Sequence, residues 1–163
     1  MAKEEVIGIL ASWLKDAHAM EETQIKLLKR AIKDFDDDDR IKRRLERHLE
    51  QTQRQREIVE ECLNSIGEQP ARTKDFMSKM MGAGQGMSAS AVGDEKVKHM
   101  IILVGAEYFE FACYEAIREA AQYAGEGGIA EAAKQIGDQE LDMAEWAEDN
   151  LSGVVREQLM SAR

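Results

Sequence analysis

The sequence predicts an all-α protein. Ala, Glu, Lys, Leu, Arg, Gln and Met dominate the chain, and all are strong helix formers. Proline occurs once, at Pro70, so long stretches carry no residue that breaks a helix. Apolar residues recur at three- and four-residue spacing, and no period-two alternation persists.

The spacing predicts a first helix over residues 3–34, with Val6, Leu10, Trp13, Leu14, Ala17, Leu28 and Ile32 on its apolar face. The acidic run Asp36–Asp39 follows. It lacks the Gly and the distal Glu of an EF-hand loop, and acidic residues are favoured at a helix N-terminus by its free N–H groups and dipole. It is therefore read as the start of a second helix, over residues 37–66. That helix carries Ile41, Leu45, His48, Leu49, Thr52, Val59, Cys62, Leu63 and Ile66 on one stripe. Gly67 and Pro70 supply the stop.

Residues 67–93 change character. Phe76, Met77, Met80 and Met81 suggest a short helix, and Gly82 to Gly86 reads as a loop. A connection of this length can cross a whole bundle, which would leave the second and third helices parallel. The third helix is expected over residues 93–123, with Val97, Ile101, Val104, Tyr108, Phe111 and Tyr114 inward, until Gly125, Gly127 and Gly128 interrupt it. A fourth is expected over 128–149, and a short tail helix over 151–163 carries Leu151, Val154, Val155 and Leu159. Residues 1–163 thus read as a single domain. It holds two antiparallel hairpins joined by a long crossover, plus a short C-terminal helix, which is the topology of a ferritin-like four-helix bundle.

The net charge is −10, which repels phosphate backbones and argues against nucleic acid as a partner. Charges interrupt every apolar run, so neither a signal peptide nor a membrane span is expected. Cys62 and Cys113 fit no CxxC or zinc spacing, and two free thiols suit a reducing, cytoplasmic setting.

Two apolar stripes are interrupted by acid. Glu21 falls within Leu14, Ala17, Ile25, Leu28 and Ile32, and Glu140 falls within Ile129, Ala133, Ile136, Met143 and Ala147. Carboxylates are seldom fully buried unless paired, protonated or bound to metal. Counting outward from each turn places Glu21 level with residue 50 of the second helix, near His48 and Glu50. The same count places Glu140 level with residue 112, flanked by Glu107 and Glu110. Carboxylate oxygen and imidazole nitrogen together suit a divalent transition metal such as iron or manganese. Di-iron bundles use a Glu from each helix and two Glu-x-x-His pairs. Here Gln53 follows Glu50 and Met143 follows Glu140 at that spacing, so neither pair is complete. Glu50 is also out of phase with the Leu45–Leu49–Thr52 stripe, and His48 has the better phase. The candidate ligands are therefore Glu21, His48, Glu50, Glu107, Glu110 and Glu140. The alternative for Glu21 is a boundary position reaching solvent, and for His48 a hydrogen-bonded core histidine.

The residues also resemble the YciF/YciE family of bacterial stress-associated proteins. The resemblance rests on Asp16 to Glu21, on His48-Leu49-Glu50-Gln51-Thr52 with Gln55, on Glu107 to Tyr114, and on Glu140 to Trp146, and it spans residues 6–150. It implies a ferritin-like bundle that pairs as a homodimer and holds a dinuclear metal site, with Glu21, Glu50, Glu107, Glu110 and Glu140 as ligand positions. The functional expectation is a stress-associated protein handling iron, manganese or peroxide. The rival expectation is a metal-free structural or interaction protein with a degenerate site. Its contact regions would be Met80, Met81 and the glycine loop, together with the tail.

Overall fold

The computed structural model describes residues 3–70 and 94–161. Four helices account for them: α1 (Lys3–Asp34), α2 (Asp39–Ser65), α3 (Glu95–Ala124) and α4 (Gly127–Ser161). The crossover predicted over 67–93 lies almost wholly outside the described residues.

Each described turn has a local cause. The Asp38 carboxylate accepts hydrogen bonds from the backbone N–H groups of Arg40 (2.9 Å) and Ile41 (3.0 Å), so the acidic run is a helix cap, as its sequence suggests. At the far end of α2, Gly67 takes φ +76°, and Glu68 donates its N–H to the Leu63 carbonyl at 2.9 Å. The α3–α4 turn repeats this geometry. Gly125 sits at φ +79°, and Glu126 donates to the Ala121 carbonyl at 2.8 Å. A Cβ at Gly125 would meet no atom within 4 Å. The cost of Gly125→Ala is therefore backbone strain alone, about 1–2 kcal/mol, which a shift in the denaturation midpoint would measure.

Ion pairs fix the helix directions. Lys15 with Glu68 (2.6 Å) and His18 with Glu60 (2.8 Å) run α1 antiparallel to α2. Asp34 with His99 (2.8 Å) and Lys3 with Glu126 (3.9 Å) run α1 antiparallel to α3. The Arg44–Asp142 pair (2.7 Å), together with the Arg40–Asn150 hydrogen bond, runs α2 antiparallel to α4. Hence α2 and α3 are parallel, and the neighbours around the bundle are α1/α2, α2/α4, α4/α3 and α3/α1. This is the expected ferritin-like arrangement.

Two expectations change. Residues 151–161 continue α4 without a break. Gly153 takes no positive φ, and Val154 packs into the core with Phe35 and Ile41, so the tail joins the fourth helix. In α3 the inward face is Met100, Leu103, Glu107, Glu110, Tyr114 and Ile117, rotated by one residue from the predicted stripe. Tyr108 is exposed and donates to Glu148 at 2.6 Å. Apolar residues occur almost all round α3, so its periodicity marks the buried side weakly.

The apolar core is divided. One cluster joins Leu10, Leu14, Val59, Leu63, Ile117 and Ile136; the other joins Leu28, Phe35, Leu45, Met100, Met143 and Val154. Between them, at mid-height, lies a layer of buried polar side chains.

Candidate metal centre

All four helices feed this layer at helical spacing. Glu21 and Gln24 come from α1, and His48, Thr52 and Gln55 from α2. Glu107, Glu110 and Tyr114 come from α3, and Glu140 from α4. Steps of three or four residues put each set on one face. Thr52 turns its hydroxyl back onto the His48 carbonyl at 2.9 Å, which leaves the His48 imidazole and the Gln55 amide as the polar groups α2 presents.

The imidazole and two carboxyls converge. His48 Nε2 lies 3.1 Å and 3.0 Å from the two oxygens of Glu107 and 3.6 Å from Glu140 Oε2. One potential ligand atom from each of His48, Glu107 and Glu140 falls within 4.8 Å of the others, and all three residues are buried. Gln24 donates to Glu107, and Tyr114 donates to Glu21. Both oxygens of Glu110, both of Glu140 and Oε2 of Glu21 have no hydrogen-bond partner, although all are buried.

The electrostatics follow from burial and crowding. Burial, and after it the neighbouring charge of Glu140, holds Glu21 well above the usual carboxylate range; the Tyr114 hydroxyl works the other way. Glu110 is raised by burial and then by Glu140, Glu107 and Glu21. Glu140 is raised by burial and then by Glu107. Burial pushes Glu107 up to about 7, opposed first by the neighbouring Glu140 carboxyl and then by the hydrogen bond from Gln24. The same burial lowers His48, opposed by Glu140. Tyr114 is raised by burial and then by the Glu21 carboxylate.

The structure brings five of the six sequence-predicted residues into the layer. Glu21, His48, Glu107, Glu110 and Glu140 are all buried there. Glu50 is not: it is exposed on the outer side of α2. Two residues past His48 is a rotation of about 200°, so the two side chains leave the helix on nearly opposite sides. Of this pair, the imidazole is the one within reach of the acids. Sequence reasoning missed Gln24 as the partner of Glu107, and it placed Tyr114 inward without pairing it to Glu21. The signal for Gln24 was its position one turn after Glu21. Cys62 and Cys113 are free thiols, as expected; burial pushes Cys62 up to about 11.

A model of the family described as a domain of unknown function, DUF892, matches residues 6–160. The chain belongs to the DUF892 family. Solved structures agree on the fold. A protein from Xanthomonas campestris pv. campestris is 28% identical with a TM-score of 0.81, covering 97% of this chain and 98% of its own. The Escherichia coli stress protein YciF is 17% identical with a TM-score of 0.77, covering 93% and 97%. YcfI from Rhodopseudomonas palustris is 18% identical with a TM-score of 0.70, covering 88% and 92%. The resemblance drawn from sequence motifs is thus to the right family, and the DUF892 bundle is YciF-like. Among the described residues, no helix is long and apolar enough to cross a membrane.

The donor set fits a metal. It offers one neutral imidazole, several carboxylates and no thiolate, which suits hard and borderline divalent cations. The buried, partnerless oxygens of Glu110 and Glu140 are the groups a cation would satisfy.

Proposed function

We propose that this DUF892 bundle binds iron or manganese in its mid-height polar layer and handles the metal, or peroxide through it, under stress. The observation that carries the reading is the convergence of His48, Glu107 and Glu140 from three helices into one buried cluster. His48, Glu107 and Glu140 would hold the first ion. Glu21 and Glu110, in the same layer, would extend the site to a second. Such a metal would supply electron exchange with oxygen or peroxide. The protein's own part is to hold the acids at one height between two apolar clusters and to keep bulk water out. Gln24 and Tyr114 orient Glu107 and Glu21. Binding with slow oxidation fits this set better than fast turnover, because each Glu-x-x-His pair lacks its histidine. The stress setting is carried over from the E. coli neighbour, which is described as a stress protein.

Metal content by mass spectrometry tests the proposal after expression with iron or manganese. The expected result is about two transition-metal ions per chain, as in dinuclear carboxylate bundles. In Glu140→Ala the metal should be lost while the helical signal stays intact. A variant that keeps wild-type stoichiometry would sink the assignment.

A second reading has its own support. Glu107 and Glu21 already accept hydrogen bonds from Gln24 and Tyr114, so part of the layer is satisfied by protein groups without a cation, as a metal-free structural protein would require. Wild-type protein free of metal under every supplementation would favour it. The proposal also includes a homodimer. Trp13 and Phe109, 41% and 48% exposed, line a shallow apolar hollow between α1 and α3 that a second copy would cover. Light scattering that returns a monomer mass would remove that part.

A further inference from the structure

A buried metal layer needs a way in, and the four seams between helices differ. The two apolar clusters close the layer above and below. At the α3/α4 seam the helices meet over Gly137, where a Cβ would lie 3.5 Å from Tyr114. The α1/α3 seam is faced by the apolar hollow of Trp13, Met20, Phe109 and Ile117. At the α1/α2 seam His18 is bridged to Glu60. The α2/α4 seam is the least closely packed of the four.

That seam carries a groove of about 620 Å³, with Arg44, Arg47, Glu50, Gln51, Gln139 and Asp142 among its walls. Its floor meets the polar layer through amides. Gln51 Oε1 lies 3.4 Å from His48 Nδ1, the imidazole nitrogen facing away from the acids. Half-buried Gln139 accepts a hydrogen bond at 2.9 Å from Gln55, which is itself fully buried in the layer. Two of the three wall arginines are ion-paired, Arg44 with Asp142 at 2.7 Å and Arg54 with Glu57 at 2.8 Å, and the Glu50 carboxylate offsets the charge of the third, Arg47.

We infer that the α2/α4 groove is the access route to the polar layer for hydrated divalent cations and small polar oxidants, with the Gln55–Gln139 amide pair as its inner door. The inference rests on the metal reading for what passes, but not for whether the path exists. Amides suit this position. They replace the water that a cation sheds, yet carry no charge that would trap it. Glu50 then stands at the mouth of the path, outside the site it leads to.

Labelling of His48 by diethylpyrocarbonate in metal-free protein, followed by peptide mass mapping, tests the path without any metal. Gln139→Leu and Gln51→Leu should each slow His48 labelling about tenfold. Ala116→Leu, which fills the α1/α3 hollow, should leave it unchanged. Equal rates in wild type and both groove variants, or no His48 labelling in wild type, would overturn the route. A parallel measurement of Mn²⁺ uptake by stopped flow should show slower loading in Gln139→Leu with unchanged final stoichiometry. Wild-type protein that takes up neither Mn²⁺ nor Fe²⁺ refutes the metal reading instead, and the labelling result still decides the groove.

Discussion

In chelator, the protein should lose thermal stability as the pH rises from about 5 to about 7.5. Glu21, Glu107, Glu110 and Glu140 all have folded-state pKa values above that of a free carboxyl. The folded state therefore holds protons that the unfolded chain releases. Stability from this source is complete below about 4.5 and is lost as the pH climbs through the folded values. For Glu107, raised from 4.5 to about 7, the loss is about 3 kcal/mol. His48 works in the opposite direction, because its lowered value makes the folded state worse off below 6.5. One histidine faces four carboxyls, so the falling slope wins. The proposed metal would reverse it, since a cation that binds the deprotonated acids stabilises the state it binds. The melting temperature in chelator should fall over this window, and the gap between Mn²⁺-loaded and chelated samples should widen. A chelated sample whose melting temperature is flat or rising would show that the acids are not held neutral.

The second large effect is a gain. Glu110→Leu should make the metal-free protein more stable by about 2 kcal/mol. Both Glu110 oxygens are buried without a partner, and an unpartnered polar group costs about 1–3 kcal/mol that an apolar side chain of similar size does not. Glu107→Leu should do the reverse. It strands His48 and Gln24, whose polar atoms bond Glu107, and should cost about 2 kcal/mol. Urea denaturation of both variants in chelator reads the two signs. A residue whose removal stabilises the fold while it weakens metal retention is held for function. Loss of stability in Glu110→Leu would mean that Glu110 is a structural partner after all.

Much of this molecule is legible without coordinates. The limits of the first three helices, the Asp38 cap and the left-handed stops at Gly67 and Gly125 depend on neighbours a few residues apart, and local rules suffice for them, whereas the run of α4 to Ser161 was missed. Glu21 and Glu140 stand out for the same reason, as each interrupts an apolar stripe on its own helix. The rotation of α3 was not readable. A helix apolar on most sides has no single preferred face, and the partner helices choose it.

Chain order and helical period alone determined that this is an all-α bundle of two hairpins with acids at mid-height. They could not decide which polar groups meet. Glu50 and His48 stand two residues apart on one helix, yet one faces solvent and the other lies 3.0 Å from Glu107. The pairings of Gln24 with Glu107, Tyr114 with Glu21 and Gln55 with Gln139 join residues more than 80 positions apart. Such contacts depend on the rotation and axial register of one helix against another. Packing of the two apolar clusters sets both, and no local rule in the sequence encodes them.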